Sequence, residues 1–302
     1  MSIDIAAKTL AVDAAMLRVV HAFRLAGIEP ILLKGQSFAA WLYDPGTRSY
    51  SDVDLIVDPR REDDAGRVLQ TLGYTPEPQR PGLPVHATTW IQPEWSVEVD
   101  LHIRLPLTID ASVCWRELFQ RTESLRIGAE TITVLDEAAR SVHVVIHALH
   151  NSSKSISANT DLDRALAVVS DDVWKQAAYL AWRLGAKDAF AVCLALHPAG
   201  SQLCHRLAIA PPVPVPVPIR LLVEGRSSSG AAALHDLTQL TGLWSRLLFV
   251  GSKIFASKRY VRRSDPLADS AVPSLPLLYV RYWLRLARKA PGAIRAWRGM
   301  RP

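Results

Sequence analysis

Residues Leu32–Val57 read LLKGQSFAAWLYDPGTRSYSDVDLIV, and this stretch predicts two strands joined by a helix. One apolar run ends at Lys34-Gly35, a segment with helical spacing and a Pro-Gly turn follow, and a second apolar run begins at Asp52. Because side chains alternate across a strand, Asp52 and Asp54 share one face. Their carboxylates stand about 7 Å apart along the strand and repel each other if both are charged and unpaired. The pattern is typical either of a solvated edge strand or of a site for divalent cations such as Mg²⁺, which prefers hard oxygen ligands.

A second pattern of period 2 follows at Trp95–Leu105, WSVEVDLHIRL. Its polar positions hold Glu98, Asp100, His102 and Arg104. Such a strand buries its apolar face and presents the polar face to a cleft. If it pairs beside the strand of Asp52 and Asp54, Asp100 becomes the third carboxylate of a metal cluster.

These motifs resemble the DNA polymerase β-like nucleotidyltransferase superfamily, and more narrowly a large bacterial branch of uncharacterised nucleotidyltransferases. The motifs that carry the resemblance are Lys34-Gly35, Arg48 with Ser51–Leu55, and Val99–His102. They lie within roughly residues 1–150, and the remainder is similar only in its helical character. The resemblance implies an α+β fold, in which a small mixed-sheet nucleotidyltransferase domain is followed by a mainly helical domain.

The resemblance also implies roles for six residues around two Mg²⁺ ions and a nucleoside triphosphate. The expected metal ligands and catalytic residues are Asp52, Asp54 and Asp100. The expected phosphate-binding residues are Lys34, Gly35 and Arg48. A glycine permits close backbone approach to phosphates, and an arginine offers a bidentate fork for their oxygens.

The implied reaction is transfer of NMP from an NTP, with ATP among the candidates, to an acceptor with release of pyrophosphate. The acceptor is a small metabolite, a sugar phosphate, a peptide or an RNA end. The alternative is a catalytically inactive binding module of the same fold that acts as an adaptor on nucleic acid or membrane. Three retained acids argue against that alternative, because buried uncompensated charges cost stability unless a cation fills the site. The sequence leaves open whether the reaction also uses Glu98, His102, His147, Asp161 or Asp163.

The chain has 302 residues with 49% hydrophobic content, enough for two domains with full cores. Strand-like patterns give way to helical periodicity after Leu135, which predicts domains at 1–135 and 136–302 with the active cleft between them. The run APPVPVPVP at 210–218 favours an extended conformation and is predicted to be a linker.

Three cysteines are scattered without metal or redox spacing, which predicts a reducing, cytoplasmic environment rather than a disulfide scaffold. The N-terminal segment lacks the features of a signal peptide. No apolar run reaches the ~18 residues expected of a membrane span.

The positive charge is concentrated at the end of the chain. Residues 241–302 hold thirteen Lys or Arg residues against two acids, a balance of +11, whereas the other 240 residues carry about −5. Eight aromatic residues stand among those charges. A basic segment of this kind predicts an anionic partner, either RNA or a membrane surface, unless its aromatics pack inside the helical domain.

Two features of the helical half bear on the site. A predicted helix at 137–150 places His143, His147 and His150 on one stripe. Three roles are open to these histidines: binding a metal, packing the helix or contacting the nucleotide. The lack of a nearby carboxylate or Cys favours the last two. Asp161 or Asp163 is expected to cap a helix at 161–169.

Overall fold

The computed structural model describes residues 3–77, 86–92, 95–151, 156–223, 237–238, 242–256, 261 and 274–298. Within them, one sheet contains the strands β1 Ile31–Leu32, β2 Asp52–Ile56, β3 Thr75–Pro76, β4 Ala87–Gln92, β5 Trp95–His102, β6 Thr122–Ile127 and β7 Glu130–Leu135. The strand order is β3-β4-β5-β2-β1-β7-β6. The β2/β5 and β1/β7 pairs are parallel and the other neighbours antiparallel, so the sheet is mixed, as predicted.

The helices with described limits are α1 Ile3–Leu25, α2 Gln36–Leu42, α3 Glu62–Thr71, α4 Ala111–Phe119, α5 Glu137–Asn151, α6 Ile156–Val168, α7 Asp171–Arg183, α8 Lys187–Leu196, α9 Pro198–Leu207, α10 Val217–Val223, α11 Leu243–Ile254 and α12 Leu275–Arg298. A 3₁₀ turn precedes α3. After β7 the described residues form helices and connections, which confirms the predicted α+β class.

Helix α1 packs on β2 and β5 and closes one face of the sheet. Its buried stripe consists of Val12, Ala15, Met16, Val19, Val20 and Phe23. Leu10 and Leu25, two other apolar residues of α1, are 68% and 78% exposed. Apolar residues surround most of this helix, and the stripe carrying Met16 and Phe23 offers the larger area for burial.

The alternation along β2 and β5 separates the core from the cleft. Val53, Leu55, Val99 and Leu101 are buried in one cluster with the inner face of α1. Because alternate side chains point to opposite faces, the acidic residues between them face away from α1. The predicted pairing of the two strands is confirmed.

Helix α5 contacts β7, and near its start Ala139 N donates to Asp136 Oδ1 at 2.8 Å. Its apolar residues Val142, Val145, Ile146 and Leu149 are all buried. The helix packs against α6, α7 and α8. The expected cap role of Asp161 or Asp163 was wrong: α6 starts at Ile156, so both residues lie inside the helix.

Contacts divide the chain into compact units. One unit contains Met1–Glu77 and His86–Val215, and the described residues after Pro216 belong to a second. The boundary falls within the predicted linker, whose last residues begin α10. The sheet and helices α5 to α9 share the first unit, and the domain limits 1–135 and 136–302 stay a prediction.

In the second unit, α12 donates hydrogen bonds to the end of α11 and the residues after it. Tyr282 Oη donates to Lys253 O at 2.6 Å, Trp283 Nε1 to Ile254 O at 2.8 Å, and Tyr279 Oη to Ala256 O at 2.7 Å. These bonds satisfy carbonyls that a helix end leaves unpaired. None of the described helices combines the length and apolar character needed to cross a membrane.

Candidate active site

The parallel register of β2 and β5 brings two acidic residues side by side, since Asp54 pairs with Asp100 and Asp52 with Glu98. Asp54, Asp100 and His102 each offer a ligand atom, and these atoms all lie within 4.8 Å of one another. His102 shares the strand face of Asp100 two residues further on. The donor set, two carboxylates and an imidazole, suits a divalent cation.

Asp52 lines the same cavity but stands outside that group of three. The separation of Asp52 from Asp54 follows from strand geometry, because residues two apart on one face of a strand are about 7 Å from each other. The structure therefore brings Asp54 and Asp100 together, keeps Asp52 at the edge of the cluster, and adds His102.

Asp54 is the most enclosed of the three acids, at 2% exposure. Lys34 Nζ lies 2.8 Å and His102 Nε2 3.1 Å from its Oδ1. Burial alone would raise the pKa of Asp54, but Lys34 and His102 outweigh it and hold that pKa well below its usual range. Burial would likewise lower the pKa of Lys34, yet Asp54 and Asp52 raise it. Lys34 and Asp54 therefore form a buried ion pair.

The two other acids lack such compensation. Burial and the charge of Asp54 raise the pKa of Asp52 to about 6. The same two causes raise the pKa of Asp100, although Thr89 Oγ1 donates to its Oδ1 at 2.6 Å. Three acids against one lysine leave surplus negative charge, and a divalent cation would remove the repulsion that raises both pKa values.

The turn before α2 depends on Gly35, which has φ 61° and ψ −120° and precedes the first helical residue. This backbone conformation favours glycine. Its carbonyl accepts from Arg48 Nη1 at 3.2 Å. The turn places Lys34, the residue just before it, against Asp54.

Arg48 lines the cavity, but its guanidinium already has a carboxylate partner. Its Nε and Nη2 donate to Asp161 Oδ1 and Oδ2, both at 2.9 Å. Three of its five N–H donors thus bind protein oxygens once the bond to Gly35 is included. Direct contact of Arg48 with phosphate stays a prediction.

Five histidines form one wall of the cavity: His86, His102, His143, His147 and His150. Burial lowers the pKa of both His86 and His147 to about 3, so these imidazoles are neutral at pH 7. His147 Nε2 lies 3.4 Å from Lys34 Nζ. Among the described residues, the metal-sized group forms at Asp54, Asp100 and His102 rather than within the stripe on α5.

The cavity measures about 690 Å³, and the residues that line it come from the first compact unit. Its charged lining consists of Lys8, Lys34, Arg48, Asp52, Asp54 and Asp100. A strongly polar cavity that contains both cations and carboxylates beside a candidate metal group suits a phosphorylated ligand with its metal.

Comparison with known families shows which family the chain belongs to. The model of a family described as "uncharacterised nucleotidyltransferase" matches residues 2–199. The chain belongs to this nucleotidyltransferase family. The resemblance drawn from Lys34-Gly35, the Asp52–Asp54 strand and Asp100 is thereby confirmed.

The family match spans the sheet and the helices through α8. Among solved structures, the chain is similar to that of the antibiotic-resistance factor ANT(2'')-Ia, at 11% sequence identity and a TM-score of 0.43. The likeness covers 58% of this chain and 94% of that one. No curated protein matches the chain.

Two residues at the site were left open or misjudged from sequence. His102 was an undecided candidate, although its position two residues after Asp100 on one strand already places it on the same face. Asp161 is one of two candidates for a helix cap, and nothing in its local sequence points to Arg48, 113 residues earlier.

Proposed function

We propose that the protein is a Mg²⁺-dependent nucleotidyltransferase that moves NMP from an NTP, ATP among them, to an acceptor and releases pyrophosphate. The observation that carries the proposal is the parallel pairing of Asp54 with Asp100, which brings one buried carboxylate, one half-buried carboxylate and His102 within reach of one cation. Family membership supports the same class of reaction.

Asp52, Asp54 and Asp100 are assigned as ligands of two Mg²⁺ ions, with His102 beside them. The bound ions would supply Lewis-acid stabilisation of the triphosphate and of the leaving pyrophosphate. The surplus negative charge among these acids supports the assignment: burial and the charge of Asp54 raise the pKa of Asp52 and of Asp100, and divalent cations relieve that repulsion.

Asp100 also takes the proton of the acceptor in this proposal. The bond from Thr89 fixes the orientation of its carboxylate, as a general base requires. As the acceptor oxygen bonds to the α-phosphorus, the bond from that phosphorus to the bridging oxygen of pyrophosphate breaks.

Lys34 and Gly35 are assigned to the triphosphate. The ammonium of Lys34 is already charged and fixed beside Asp54, so it meets a phosphate oxygen without reorganisation. The conformation of Gly35 exposes backbone without a side chain on the cavity wall. Arg48 supports this side of the cavity and has further N–H donors for phosphate.

The test is binding of Mg²⁺-NTPs by titration calorimetry, coupled to release of pyrophosphate in the presence of labelled NTP and candidate acceptors. Asp100→Asn preserves shape and removes charge, and we expect it to abolish pyrophosphate release. Asp172→Asn is the matched control, because that side chain is 85% exposed on α7. A wild-type protein that binds no Mg²⁺-NTP would exclude the proposal.

A second candidate function, an adaptor on an anionic membrane surface, is supported by the exposed face of α11 and the residue after it. Its apolar residues are between 43% and 75% exposed: Leu243, Trp244, Leu247, Leu248 and Phe255. Arg246 and Lys253 lie on the same helix, within a segment that carries a balance of +11. Apolar and basic residues on one helix favour a lipid interface over RNA, because aliphatic side chains enter lipid but do not stack on bases. The packing alternative holds for Phe249 and Tyr282, which are buried.

The adaptor role is tested by co-sedimentation with vesicles containing phosphatidylglycerol and by binding of an RNA oligonucleotide. The double variant Trp244→Ser/Phe255→Ser is expected to lose vesicle binding. Trp182→Ser, which removes a 57% exposed tryptophan from α7, is expected to keep it. RNA binding without vesicle binding would exclude the membrane assignment. We assign the protein to the cytoplasm, which its three free, buried cysteines support.

A further inference from the structure

Asp161 is a fully buried carboxylate in the middle of α6. It receives both ends of the Arg48 fork at 2.9 Å and the hydroxyl of Tyr43 at 2.6 Å. A buried carboxylate is tolerated when its oxygens are matched by donors in good geometry. The lining of the cavity includes Arg48 and not Asp161, so any effect of Asp161 on a ligand passes through Arg48.

Arg48 connects this carboxylate to the turn before α2. Its Nη1 donates to Gly35 O at 3.2 Å, and its guanidinium lies 5.6 Å from the ring centroid of Phe38 on α2. The guanidinium is therefore held in place by a carboxylate on one side and an aromatic ring on the other. Since the carbonyl of Gly35 belongs to the turn that carries Lys34, the position of Arg48 constrains both residues.

Helix α6 also contacts the C-terminal end of α2. Arg164 Nη1 donates to Leu42 O at 3.2 Å, and its guanidinium lies 4.1 Å from the ring centroid of Tyr43. Helix α6 thus reaches Gly35, just before α2, through Arg48. It contacts Leu42, the last residue of α2, and Tyr43, the residue after it, directly. The short helix and its turn are fixed at both ends by one distant element.

We propose that Asp161 is a positioning residue, which fixes Arg48 and through it the Gly35 turn, and so sets where Lys34 meets the triphosphate. This rests on the proposed function, because the consequence for catalysis requires an NTP at the turn. The proposal makes α6 part of the nucleotide site even though its carboxylate touches no substrate. A purely structural carboxylate would affect stability and leave NTP affinity unchanged in the folded protein.

The experiment compares Asp161→Asn with Asp163→Asn in the full chain. Asn keeps the shape of Asp161 but turns an N–H group toward the guanidinium, so the fork loses an acceptor. Asp163 lies on the same helix, is 57% exposed and pairs with His197. Two measurements are made on each folded variant: hydrogen exchange of the amides in Gln36–Leu42, and affinity for Mg²⁺-ATP by calorimetry.

For Asp161→Asn we expect faster exchange in Gln36–Leu42 and a loss of ATP affinity of roughly 10- to 100-fold, the range produced by small misplacement of a reacting group. Asp163→Asn should match the wild type in both measurements. Unchanged ATP affinity in folded Asp161→Asn would overturn the proposal whatever the exchange, because a purely structural carboxylate leaves that affinity unchanged.

Arg48→Lys keeps the charge beside Asp161 but cannot bridge to Gly35 as well. If Asp161→Asn does not fold, this variant decides: it should reproduce faster exchange and weaker ATP binding, and wild-type ATP affinity would overturn the proposal. If the wild type binds no NTP while exchange in Gln36–Leu42 still responds to Asp161→Asn, the proposed function fails and the structural coupling of α6 to the turn stands.

Discussion

Asp54 and Asp161 are both buried carboxylates paired with a cation, yet their surroundings differ. Asp161 meets one guanidinium fork to fork and accepts a third bond from Tyr43, so its oxygens are matched by donors. Asp54 has Lys34 and His102 as partners but shares its surroundings with two further acids. A matched pair is suited to hold elements together, whereas a pair with surplus negative charge is suited to hold a cation.

The largest expected effect is the loss of transfer activity when the charge of Asp54 is removed. Asp54→Asn should lower the rate of transfer by about 10³-fold or more, because it removes charge stabilisation worth several kcal/mol. The variant should remain folded, since Asp52 and Asp100 still place negative charge near Lys34. The measurement is pyrophosphate release together with circular dichroism. Turnover within a few-fold of the wild type would contradict the assignment of Asp54.

The second prediction compares the two cations. Arg48→Met leaves Asp161 buried without its partner and should lower the free energy of unfolding by about 3–5 kcal/mol, with or without Mg²⁺. Lys34→Met should cost stability in the absence of Mg²⁺ and regain it when Mg²⁺ is added, because the ion replaces the missing positive charge. Urea unfolding with and without Mg²⁺ distinguishes them. Equal stabilisation of both variants by Mg²⁺ would contradict the distinction between the Lys34–Asp54 pair and the Arg48–Asp161 pair.

The third prediction concerns pH. The folded pKa of Asp52 is about 6, above its ordinary value of 3.8, so the folded state binds a proton there that the unfolded state does not. The metal-free protein should therefore gain stability from this group as the pH falls from 7 through 6 toward 4. Protons compete with Mg²⁺ at the same carboxylate, and Mg²⁺ affinity should weaken by up to about tenfold per pH unit below 6.

Asp52→Asn sharpens this prediction, because it should remove the step near pH 6 from the titration of Mg²⁺ affinity by calorimetry. A step that persists in Asp52→Asn would assign the titration to another group, and Asp100 is the candidate, since its pKa is also raised.

The smallest expected effect lies at the edge of the cluster. Thr89→Val removes the hydroxyl that donates to Asp100 at 2.6 Å and should slow transfer by roughly fivefold, the equivalent of ~1 kcal/mol for one hydrogen bond. The activity profile should move toward higher pH, because that bond lowers the pKa of Asp100. Thr71→Val is the control, since Thr71 donates to Val68 O in an exposed helix end. An unchanged profile would mean that Thr89 does not orient Asp100.

Much of the fold followed from periodicity. The strand predicted from Trp95 and the helix predicted at 137–150 are present as β5 and α5, because alternation and helical spacing record which face is buried. The buried face of α1 does not follow from periodicity, because its apolar residues allow more than one stripe. Packing against β2 and β5 selected among those stripes.

The candidate site divides in the same way. The sequence by itself determined that Asp52, Asp54 and Asp100 share cleft-facing strand positions, because side-chain parity is a property of each strand alone. It also determined the family, through motifs within single strands and turns. Only the tertiary structure decided that Asp54 rather than Asp52 stands beside Asp100, since this depends on the register between strands. Likewise, only the packing of α6 against α2 gave Arg48 its partner Asp161, because contacts between residues 113 positions apart leave no local pattern in the chain.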